Sequence, residues 1–564
     1  MSKKLELSWY NKNKKIVVEP RVLIENSKYS YFNSKKGKKN IDQNLLIHGD
    51  NLLGLKAIEN EFNSKIKCIY IDPPYNTGSA FEHYDDNLEH SKWLNLMYPR
   101  LKIMRNLLSE DGMIFVQIDD NEQAYLTIMM DEIFGRENRI NTIVVNMSNM
   151  SGPKINSAIL GKRFPKIKEY ILVYSKNRDV YEMKIPKYKK TDWDPEYNLI
   201  IPELTEDDYN IIQNQSLEHL INKISSFTLH SLKSWLKDNK IKDSLDWRLE
   251  NSYRIVASKP NTALLRIASE MKFDSVMSII ESPQGLKKLI KTDFNRNTRT
   301  ARIELVFAKD NIEVFFGDHW NDIVTTGGVS QEGGVRFPQG KKPEKLVSRV
   351  IETVTNPGDL VLDSFLGSGT TAAVAHKLNR RWIGIEMSEQ VFTHAKVRID
   401  SVIDGKDDTG ITNISNWLGG GGYKFYELAP TLIKIDEFEQ PIINSEYNAD
   451  MLAAAIAIHE GYRYEPSQEI YWKQSHSAEN SFLFVTTNHI NDEYLDSIYN
   501  QMKEDEYLLI SCKSFNSHLD KKYKNVAIKK IPDSILRNCE FGKDNYNLNI
   551  ISPPNYDEEV NEDE

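Results

Sequence analysis

Four consecutive residues, Asp72-Pro73-Pro74-Tyr75, carry the clearest chemistry in this sequence. They follow an apolar run, residues 66–71, that predicts a buried strand, so they stand where a strand ends and where open α/β sheets bind ligands. Two successive prolines stiffen the backbone and remove N–H donors, which leaves carbonyl oxygens as acceptors. A carboxylate beside such a carbonyl can grip the two hydrogens of an exocyclic NH₂ group, and the adjacent ring can stack on the base that carries it. An Asp-Pro turn with a packing tyrosine is the structural alternative.

A glycine-rich turn at residues 363–371 is the second chemical motif. It stands between an apolar strand and a helix of small residues, so its glycines let the backbone approach a ligand while the helix start offers free N–H groups. Glu386 lies 23 residues beyond Asp363, at the end of the next predicted strand. That is where a carboxylate meets a ribose diol in dinucleotide sites. The arrangement predicts a site for a nucleoside-containing cofactor, the alternative being a turn that only packs tightly.

Phosphate-binding alternatives are weaker. A P-loop needs GxxxxGK followed by Ser or Thr, because its lysine reaches phosphates and its hydroxyl reaches magnesium. The nearest candidate, residues 334–341, has five residues between its glycines and Lys342 where the hydroxyl should stand. The sequence therefore carries no NTPase signature.

Alternating strands and helices surround both motifs. Apolar runs predict strands at 44–49, 66–71, 113–118, 168–175, 359–363 and 381–386, with helical spacing between most of them. This rhythm predicts a mostly parallel sheet with helices on its faces. The rhythm is lost between about 180 and 300, so two halves of one sheet flank an irregular insert, and four glycines at 419–422 predict a break before a separate acidic segment.

Composition excludes several classes of protein. The 564 residues are 40% hydrophobic, which is enough to bury a core, and the longest apolar runs are far shorter than the ~20 residues that span a bilayer. No apolar region follows the basic N-terminus, so no secretory signal is expected. Three cysteines without a close pair exclude a disulfide framework and a thiolate zinc site. These features predict a multidomain cytoplasmic protein that has no membrane segment and no metal site.

Charge is distributed unevenly along the chain, although the net charge is only −9. Residues 1–50 carry a net charge of +6, residues 151–300 of +7 and residues 431–564 of −13. The central segment could supply a basic face for a phosphate backbone, whereas the acidic end favours protein contacts or solubility. Scattered lysines on a solvated surface would give the same counts, so charge alone does not identify a nucleic-acid protein.

The two motifs together resemble the amino-methyltransferases that use S-adenosylmethionine. Their order, with DPPY first, then an insert, then FxGxG, resembles the beta group of DNA adenine-N6 methyltransferases. The longer run 72–101, followed by DGMIFVQIDDNE at 111–122 and DEIFG at 131–135, is similar to the modification subunits of type III restriction-modification systems. The resemblance covers residues 44–178 and 338–426 well and is weak elsewhere.

This resemblance implies an α/β fold, namely a Rossmann-like methyltransferase sheet with circularly permuted motif order. The implied domains are an N-terminal extension (1–43), a catalytic half (44–180), a target-recognition insert (181–335), a cofactor-binding half (336–428) and a smaller acidic C-terminal α/β domain for subunit contact (429–564). Within the insert, DNA-contacting candidates are Lys291, Arg296 and Arg299, which equally suit a solvated surface.

The resemblance also implies roles for individual residues. The catalytic set is Asp72, Pro73, Pro74 and Tyr75, in which the Asp72 carboxylate and the Pro73 carbonyl hold adenine N6. Asp50 would face the adenine of the cofactor, and Lys342 with Pro343 would bind its methionine portion, although a strand-end Asp is often a helix cap and a lysine is often solvated. The remaining cofactor-binding residues are Asp363, Ser364, Phe365, Gly367, Ser368, Gly369, Thr370, Thr371 and Glu386.

The implied reaction is methyl transfer from S-adenosylmethionine to N6 of an adenine flipped out of double-stranded DNA. The implied assembly is a homodimer, with cleavage left to a separate restriction subunit. An N4-cytosine methyltransferase would use the same fold, although Ser is commoner than Asp before PPY in that group. A non-catalytic DNA-binding subunit is the alternative from another class, and the intact motif residues argue against it.

Overall fold

The computed structural model describes residues 6–546 with gaps at 15–16, 34–42, 77–85, 148–155, 163, 191, 216–219, 297, 299, 324–328, 338–339, 479, 532–540 and 544–545. The chain divides into two compact units, one formed by residues 1–184 with 318–564 and the other by residues 185–317. Each unit has its own sheets and its own apolar core.

The first part of the larger unit alternates strands with helices. Its strands are β1 (Leu23–Glu25), β2 (Tyr31–Asn33), β3 (Asn44–His48), β4 (Ile66–Ile71), β5 (Leu108–Ile118), β6 (Arg139–Asn146) and β7 (Lys168–Ser175). Its helices are α1 (Asn51–Phe62), α2 (Asp86–Leu107), α3 (Gln123–Phe134) and the short α4 (Asn156–Ile159).

The smaller unit is built from short elements. Its strands are β8 (Lys187–Lys189), β9 (Leu199–Ile200), β10 (His230–Ser231), β11 (Ile255–Pro260), β12 (Met277–Glu281), β13 (Lys287–Lys291), β14 (Arg302–Phe307) and β15 (Glu313–Phe315). Its helices are α5 (Glu206–Gln213), α6 (Ile221–Ile224), α7 (Leu232–Asp238), α8 (Leu245–Glu250) and α9 (Thr262–Ser269). Six of these strands form an antiparallel sheet in the order β10-β9-β11-β14-β13-β12.

The second part of the larger unit resumes the alternation and then adds the C-terminal segment. Its strands are β16 (His319–Trp320), β17 (Leu360–Asp363), β18 (Arg381–Glu386), β19 (Gly421–Leu428), β20 (Ile433–Ile435), β21 (Pro441–Ile443), β22 (Arg463–Tyr464), β23 (Ser475–Ala478), β24 (Ser481–Ile490), β25 (Tyr507–Phe515) and β26 (Val526–Lys530). Its helices are α10 (Glu344–Val354), α11 (Thr370–Lys377), α12 (Lys396–Asp404), α13 (Thr412–Ser415), α14 (Ala449–Glu460) and α15 (Asp492–Tyr499).

Both halves of the larger unit contribute to one sheet, in the order β1-β19-β3-β18-β17-β4-β5-β7-β6-β16, with β2 on β19. The strands from β19 through β5 run parallel, and β7 is antiparallel to β5. Alternate residues of β4, such as Ile69 and Ile71, join the core formed with α1, α2 and α3. The predicted α/β fold with a mostly parallel sheet is confirmed.

Two glycine positions explain where local prediction differs from the structure. Gly421 and Gly422 lie inside β19, where the sequence predicted a break. A Cβ at Gly422 would come within 2.3 Å of the Phe32 ring on β2. Gly112 lies inside β5, which begins five residues earlier than predicted, and a Cβ there would meet the Ile66 carbonyl at 2.7 Å. In both places glycine permits a close approach of strands and does not mark a turn.

The domain boundaries also differ from those expected. Strands β1 and β2 place part of the N-terminal extension in the main sheet, and β16 pairs with β6, so residues 318–335 belong to the larger unit and not to the insert. The C-terminal segment forms a five-stranded sheet, β22 to β26, flanked by α14 and α15, and it clusters with the larger unit.

The insert is less basic than the net charge of residues 151–300 suggested. Residues 185–317 carry 20 basic and 19 acidic side chains, a net charge of +1, so most of the positive balance of residues 151–300 precedes them. Of the expected DNA contacts, Arg296 donates to the Ser269 and Met271 carbonyls at the end of α9, and Lys291 lies 3.5 Å from Asp293. Arg299 lies outside the described residues. Within the described part of the chain, no helix is long and apolar enough to cross a membrane.

A buried histidine predicts how the stability of this fold depends on pH. His376 is fully buried; its Nε2 lies 2.9 Å from the Gly420 carbonyl and its Nδ1 accepts from the Trp382 indole at 3.1 Å. Burial lowers the pKa of this imidazole to about 4, whereas the unfolded chain takes up a proton near 6.5. We expect its contribution to the free energy of unfolding to be complete above pH 6.5 and to fall by up to about 3 kcal/mol as the pH drops towards 4.

Guanidinium unfolding followed by tryptophan fluorescence at pH 7 and pH 4.5 measures this effect. The His376→Gln variant should lose less stability between the two pH values than the wild type does. An equal loss in both proteins would show that the imidazole of His376 is not the group responsible.

Candidate functional site

Parallel strand pairing brings the two sequence motifs side by side. In β17 and β4, Leu362 pairs with Ile69, and on the other side of β17 Asp363 pairs with Gly384 of β18. Since all three strands run in the same direction, DPPY, the glycine turn and Glu386 lie at one edge of the sheet. This is the edge at which open α/β sheets bind ligands.

The Asp72 carboxylate is the centre of a cluster of charged and polar groups. Its Oδ1 accepts from the Tyr75 hydroxyl at 2.7 Å, and its Oδ2 lies 2.8 Å from Lys342 Nζ. Glu169 lies close to the same two donors: its Oε2 is 2.9 Å from the Tyr75 hydroxyl and 3.5 Å from Lys342 Nζ. The Lys342 ammonium also lies 5.0 Å from the centre of the Tyr75 ring. One cation thus faces two carboxylates and an aromatic ring.

Two side chains hold the backbone of the DPPY turn. The Trp93 indole donates to the Pro74 carbonyl at 2.7 Å, and the Asn121 amide donates to the Tyr75 carbonyl at 3.4 Å. Among the described residues, no donor reaches the carbonyl of Pro73. The Pro73 oxygen thus has no donor among the described residues, whereas both Asp72 oxygens already accept from Tyr75 and Lys342. That these two groups hold an amine stays a prediction.

Glu169 is a functional candidate that the sequence motifs missed. It lies near the start of β7. Because β7 is antiparallel to β5, with Ile118 opposite Tyr170, the amino end of β7 lies at the edge where the parallel strands end. Gln117 on β5 donates to Glu169 Oε2 at 2.5 Å and accepts from the Tyr70 hydroxyl at 2.5 Å. The only sequence signal was a carboxylate at the start of an apolar strand.

The pKa values of Asp72, Lys342 and Tyr75 in this cluster are all raised. Burial, helped by Glu169, raises the pKa of Asp72, while Lys342 opposes the shift. Burial alone would lower the pKa of Lys342, but Asp72 and Glu169 hold it above its usual value. Burial and the two carboxylates raise the pKa of the Tyr75 hydroxyl well above its usual value, so it remains a donor.

The glycine turn is built around the Asp363 carboxylate. Asp363 accepts from the backbone N–H of Phe365 at 2.9 Å and from the Thr371 hydroxyl at 2.6 Å, which joins the two ends of the turn. Burial raises the pKa of Asp363 to about 7, although both hydrogen bonds oppose this shift. Asp363 is buried, so it shapes the turn from beneath.

Gly367 and Gly369 have different surroundings although both have positive φ. Among the described residues, a Cβ added at Gly367 (φ +51°) would meet only the Phe365 carbonyl, at 4.0 Å, whereas at Gly369 (φ +78°) it would lie 3.0 Å from Ala395 Cα. The N–H of Gly367 donates to Glu386 at 2.8 Å. Gly367 therefore borders open space, and Gly369 allows α11 to pack against the segment before α12.

The partly exposed residues of this turn are Phe365, Gly367 and Glu386. Ser364, Ser368, Thr370 and Thr371 are buried with Asp363, and Thr370 accepts from Arg398 at 2.7 Å. The Ser364 hydroxyl is buried and has no hydrogen-bond partner among the described residues. The structure thus separates residues that can touch a ligand from those that hold the turn.

Residues 66–397 match a family model described as a DNA methylase. The chain belongs to this DNA methylase family. The matched range contains both motifs, the insert and Glu169.

Three curated relatives of this methylase carry related names. The probable type III restriction-modification enzyme HindVI Mod subunit of Haemophilus influenzae is 37% identical over 69% of this chain and 54% of its own length. The EcoPI Mod subunit of Escherichia phage P1 is 30% identical over 64% of this chain and 59% of its length, and the EcoP15I Mod subunit of Escherichia coli is 28% identical over 77% and 72%. The alignments thus span less than two thirds of the first two relatives.

Three residues expected at the cofactor of the methylase have other contacts in the structure. Asp50 is buried and caps α1, accepting from Leu52 and Leu53 N–H groups at 2.8 and 3.1 Å, and the Tyr546 N–H also donates to it at 3.0 Å. The Lys342 ammonium is paired with Asp72 and Glu169, and Pro343 stands at the N-cap position of α10 without a side-chain capping hydrogen bond. The helix cap at Asp50 was the alternative that the sequence offered, whereas the ion pairs of Lys342 join residues distant along the chain and could not be assigned from it.

The two glycines of the methylase turn should differ in what they contribute to stability. Gly369→Ala should lower the free energy of unfolding by roughly 2–3 kcal/mol, because it combines a left-handed backbone with a close contact. Gly367→Ala should cost only about 1 kcal/mol, the backbone term alone. Denaturant unfolding of both variants measures the difference, and equal losses would contradict the distinction drawn from their surroundings.

Proposed function

We propose that this methylase transfers a methyl group from S-adenosylmethionine to the exocyclic N6 of adenine in double-stranded DNA. The observation that carries the proposal is the position of the Asp72 and Pro73 acceptors on the strand next to the glycine turn. A group that grips an amine thus lies beside a turn suited to a nucleoside-containing cofactor. The family match supports the same reaction class.

The residues of the glycine turn fit the proposed cofactor. The partly exposed Phe365, the open space beside Gly367 and the Glu386 carboxylate are available to a ligand, and Ser364 offers an unpartnered buried hydroxyl. Phe365 and Gly367 would line the methionine end, and Glu386 would hold the ribose hydroxyls. When bound, S-adenosylmethionine supplies a methyl group on a positively charged sulfur. Asp363, Ser368, Gly369, Thr370 and Thr371 would act by holding the turn.

Asp72 and Pro73 would activate the amine. The N6 lone pair of adenine is delocalised into the ring, so the free amine is a poor nucleophile. Two acceptors on its hydrogens favour a pyramidal nitrogen with a localised lone pair, which can then attack in line. Positioning and electrostatics supply most of the rate in such a site. Tyr75 would stack on the base after it leaves the helix, which offsets part of an unstacking cost of a few kcal/mol.

The names of the relatives support a wider role. They are Mod subunits of type III restriction-modification enzymes, so we propose that this chain is the modification and recognition component of such a system, working as a homodimer beside a separate restriction subunit. The insert, residues 185–317, would recognise the target sequence. Since its net charge is only +1, recognition there would rest on individual contacts more than on overall charge.

Product analysis tests the reaction. Purified protein is incubated with labelled S-adenosylmethionine and unmethylated DNA, and the digested nucleosides are identified by mass spectrometry. We expect N6-methyladenine from the wild type and none from Asp72→Ala, because that variant lacks the amine acceptor. Asp492→Ala, at the start of α15 with a side chain that is 46% exposed, is the matched control and should remain active. Detection of N4-methylcytosine would leave the mechanism unchanged but show that the target base is cytosine. The absence of any methylated base would contradict the proposal.

Cofactor binding tests the glycine turn separately from the reaction. Gly367→Ala should weaken the binding of S-adenosylmethionine by at least about tenfold, because its methyl group enters the space beside the turn. Gly461→Ala, in the C-terminal segment, is the matched control, since Gly461 has φ +77° and no described residue would lie within 4 Å of its added Cβ. Isothermal titration calorimetry measures both affinities. Unchanged binding to Gly367→Ala would place the cofactor elsewhere.

A further inference from the structure

Asp72 has protein donors on both of its oxygens, which is a difficulty for a residue that must hold a substrate amine. Tyr75 donates to Oδ1 and Lys342 to Oδ2. Each of these bonds draws electron density away from the lone pairs that would accept the hydrogens of the amine. A second acceptor for the same two donors would relieve this competition.

Glu169 is placed to be that acceptor. Its Oε2 lies 2.9 Å from the Tyr75 hydroxyl and 3.5 Å from Lys342 Nζ, so both Asp72 donors already lie close to it. The Tyr75 hydroxyl has one proton between two carboxylates, and it can donate to only one of them at a time. Gln117 donates to the same oxygen at 2.5 Å and is itself bonded to Tyr70, which fixes Glu169 in this position.

We propose that Glu169 is a positioning residue that takes over the Tyr75 and Lys342 donors when the amine binds, and so frees Asp72 for the substrate. This inference rests on the proposed function and deepens it. In the amine complex Tyr75 turns its hydroxyl proton to Glu169, and Lys342 shifts from Asp72 towards Glu169. The Asp72 oxygens then accept from the amine.

Once its oxygens are free of Tyr75 and Lys342, Asp72 can also take up the proton that methyl transfer releases. The bond from N6 to the methyl carbon forms as the bond from sulfur to that carbon breaks, and the sulfonium charge passes to nitrogen. The nitrogen then loses one proton to the Asp72 carboxylate and becomes a neutral secondary amine. Glu169 keeps its charge throughout, and it compensates Lys342 while Asp72 is protonated.

A purely structural role for Glu169 is the competing explanation. Glu169 would then only neutralise a buried lysine, and its loss would weaken the site regardless of Tyr75. The two explanations differ in what happens when the Tyr75 hydroxyl is removed from a protein that already lacks the Glu169 charge. In the proposed role, removing that hydroxyl gives Asp72 a free oxygen again.

The experiment compares Glu169→Gln, Tyr75→Phe and the double variant in single-turnover methylation of the DNA site mapped for the wild type. Glu169→Gln should lower the rate on the order of 10²-fold, the scale of a misplaced catalytic group, with little change in cofactor affinity. Tyr75→Phe keeps the ring and should have a smaller effect. The double variant should be about tenfold faster than Glu169→Gln, because Asp72 Oδ1 is free again, and slower than Tyr75→Phe alone, because Lys342 still has no second carboxylate to move to. Glu110→Gln, whose side chain is 67% exposed, is the matched control.

Each outcome bears on the proposal. A double variant as slow as Glu169→Gln, or slower, would overturn it and favour the structural role, as would a wild-type rate in Glu169→Gln. Glu169→Asp retains the acceptor charge and should be faster than Glu169→Gln; equal rates or a slower Asp variant would count against the proposal. If the amide variant unfolds, Glu169→Asp, whose carboxylate is one methylene further from the two donors, replaces it in the comparison with Tyr75→Phe, and a double variant no faster than Glu169→Asp would count against the proposal. A wild type that methylates no DNA would instead overturn the proposed function, and this inference with it.

Discussion

The parallel pairing of β17 between β4 and β18 is the constraint on which the site depends. These strands come from two halves of the chain separated by the insert, and their registers align Leu362 with Ile69 and Asp363 with Gly384. Each strand ends at the same edge of the sheet. The DPPY turn, which is proposed to bind an amine, therefore lies next to the glycine turn, which borders open space. A shift of one residue in the pairing of β17 would turn its side chains to the opposite face of the sheet and would also move the two motifs apart.

A network of buried, paired charges holds the glycine turn in place. Behind the glycine turn, Lys377 lies 2.8 Å from Glu344 and 2.7 Å from Asp407, while Arg398 bonds Glu344 and Thr370. This network joins the starts of α10 and α11 to α12. Removing one partner of such a pair typically costs about 3–5 kcal/mol, because the other charge remains buried. The geometry of the cofactor turn is thus tied to groups that no ligand touches.

The ends of the chain are part of the same unit. Glu19 accepts from the Leu432 N–H at 2.7 Å and from the Thr431 hydroxyl at 2.9 Å, so the N-terminal segment and the C-terminal segment meet beside the main sheet. Tyr546 lies in the core patch with Leu52 and Leu53, and its N–H reaches Asp50. The described residues of the C-terminal segment therefore contact the N-terminal segment and α1 of the same unit.

The sequence by itself determined the parts that depend on local pattern. Apolar runs and helical spacing located β3, β4, β7, β17 and β18 to within about two residues, and two motifs identified the turns. Tertiary structure decided everything that joins distant residues: the pairing of Lys342 with Asp72, the approach of Glu169 through an antiparallel strand, and the contact of Asp50 with the Tyr546 N–H. It also decided that Gly421 and Gly422 form a strand. Residue type specifies what a side chain can do, whereas the register of strands far apart in sequence specifies which side chains meet.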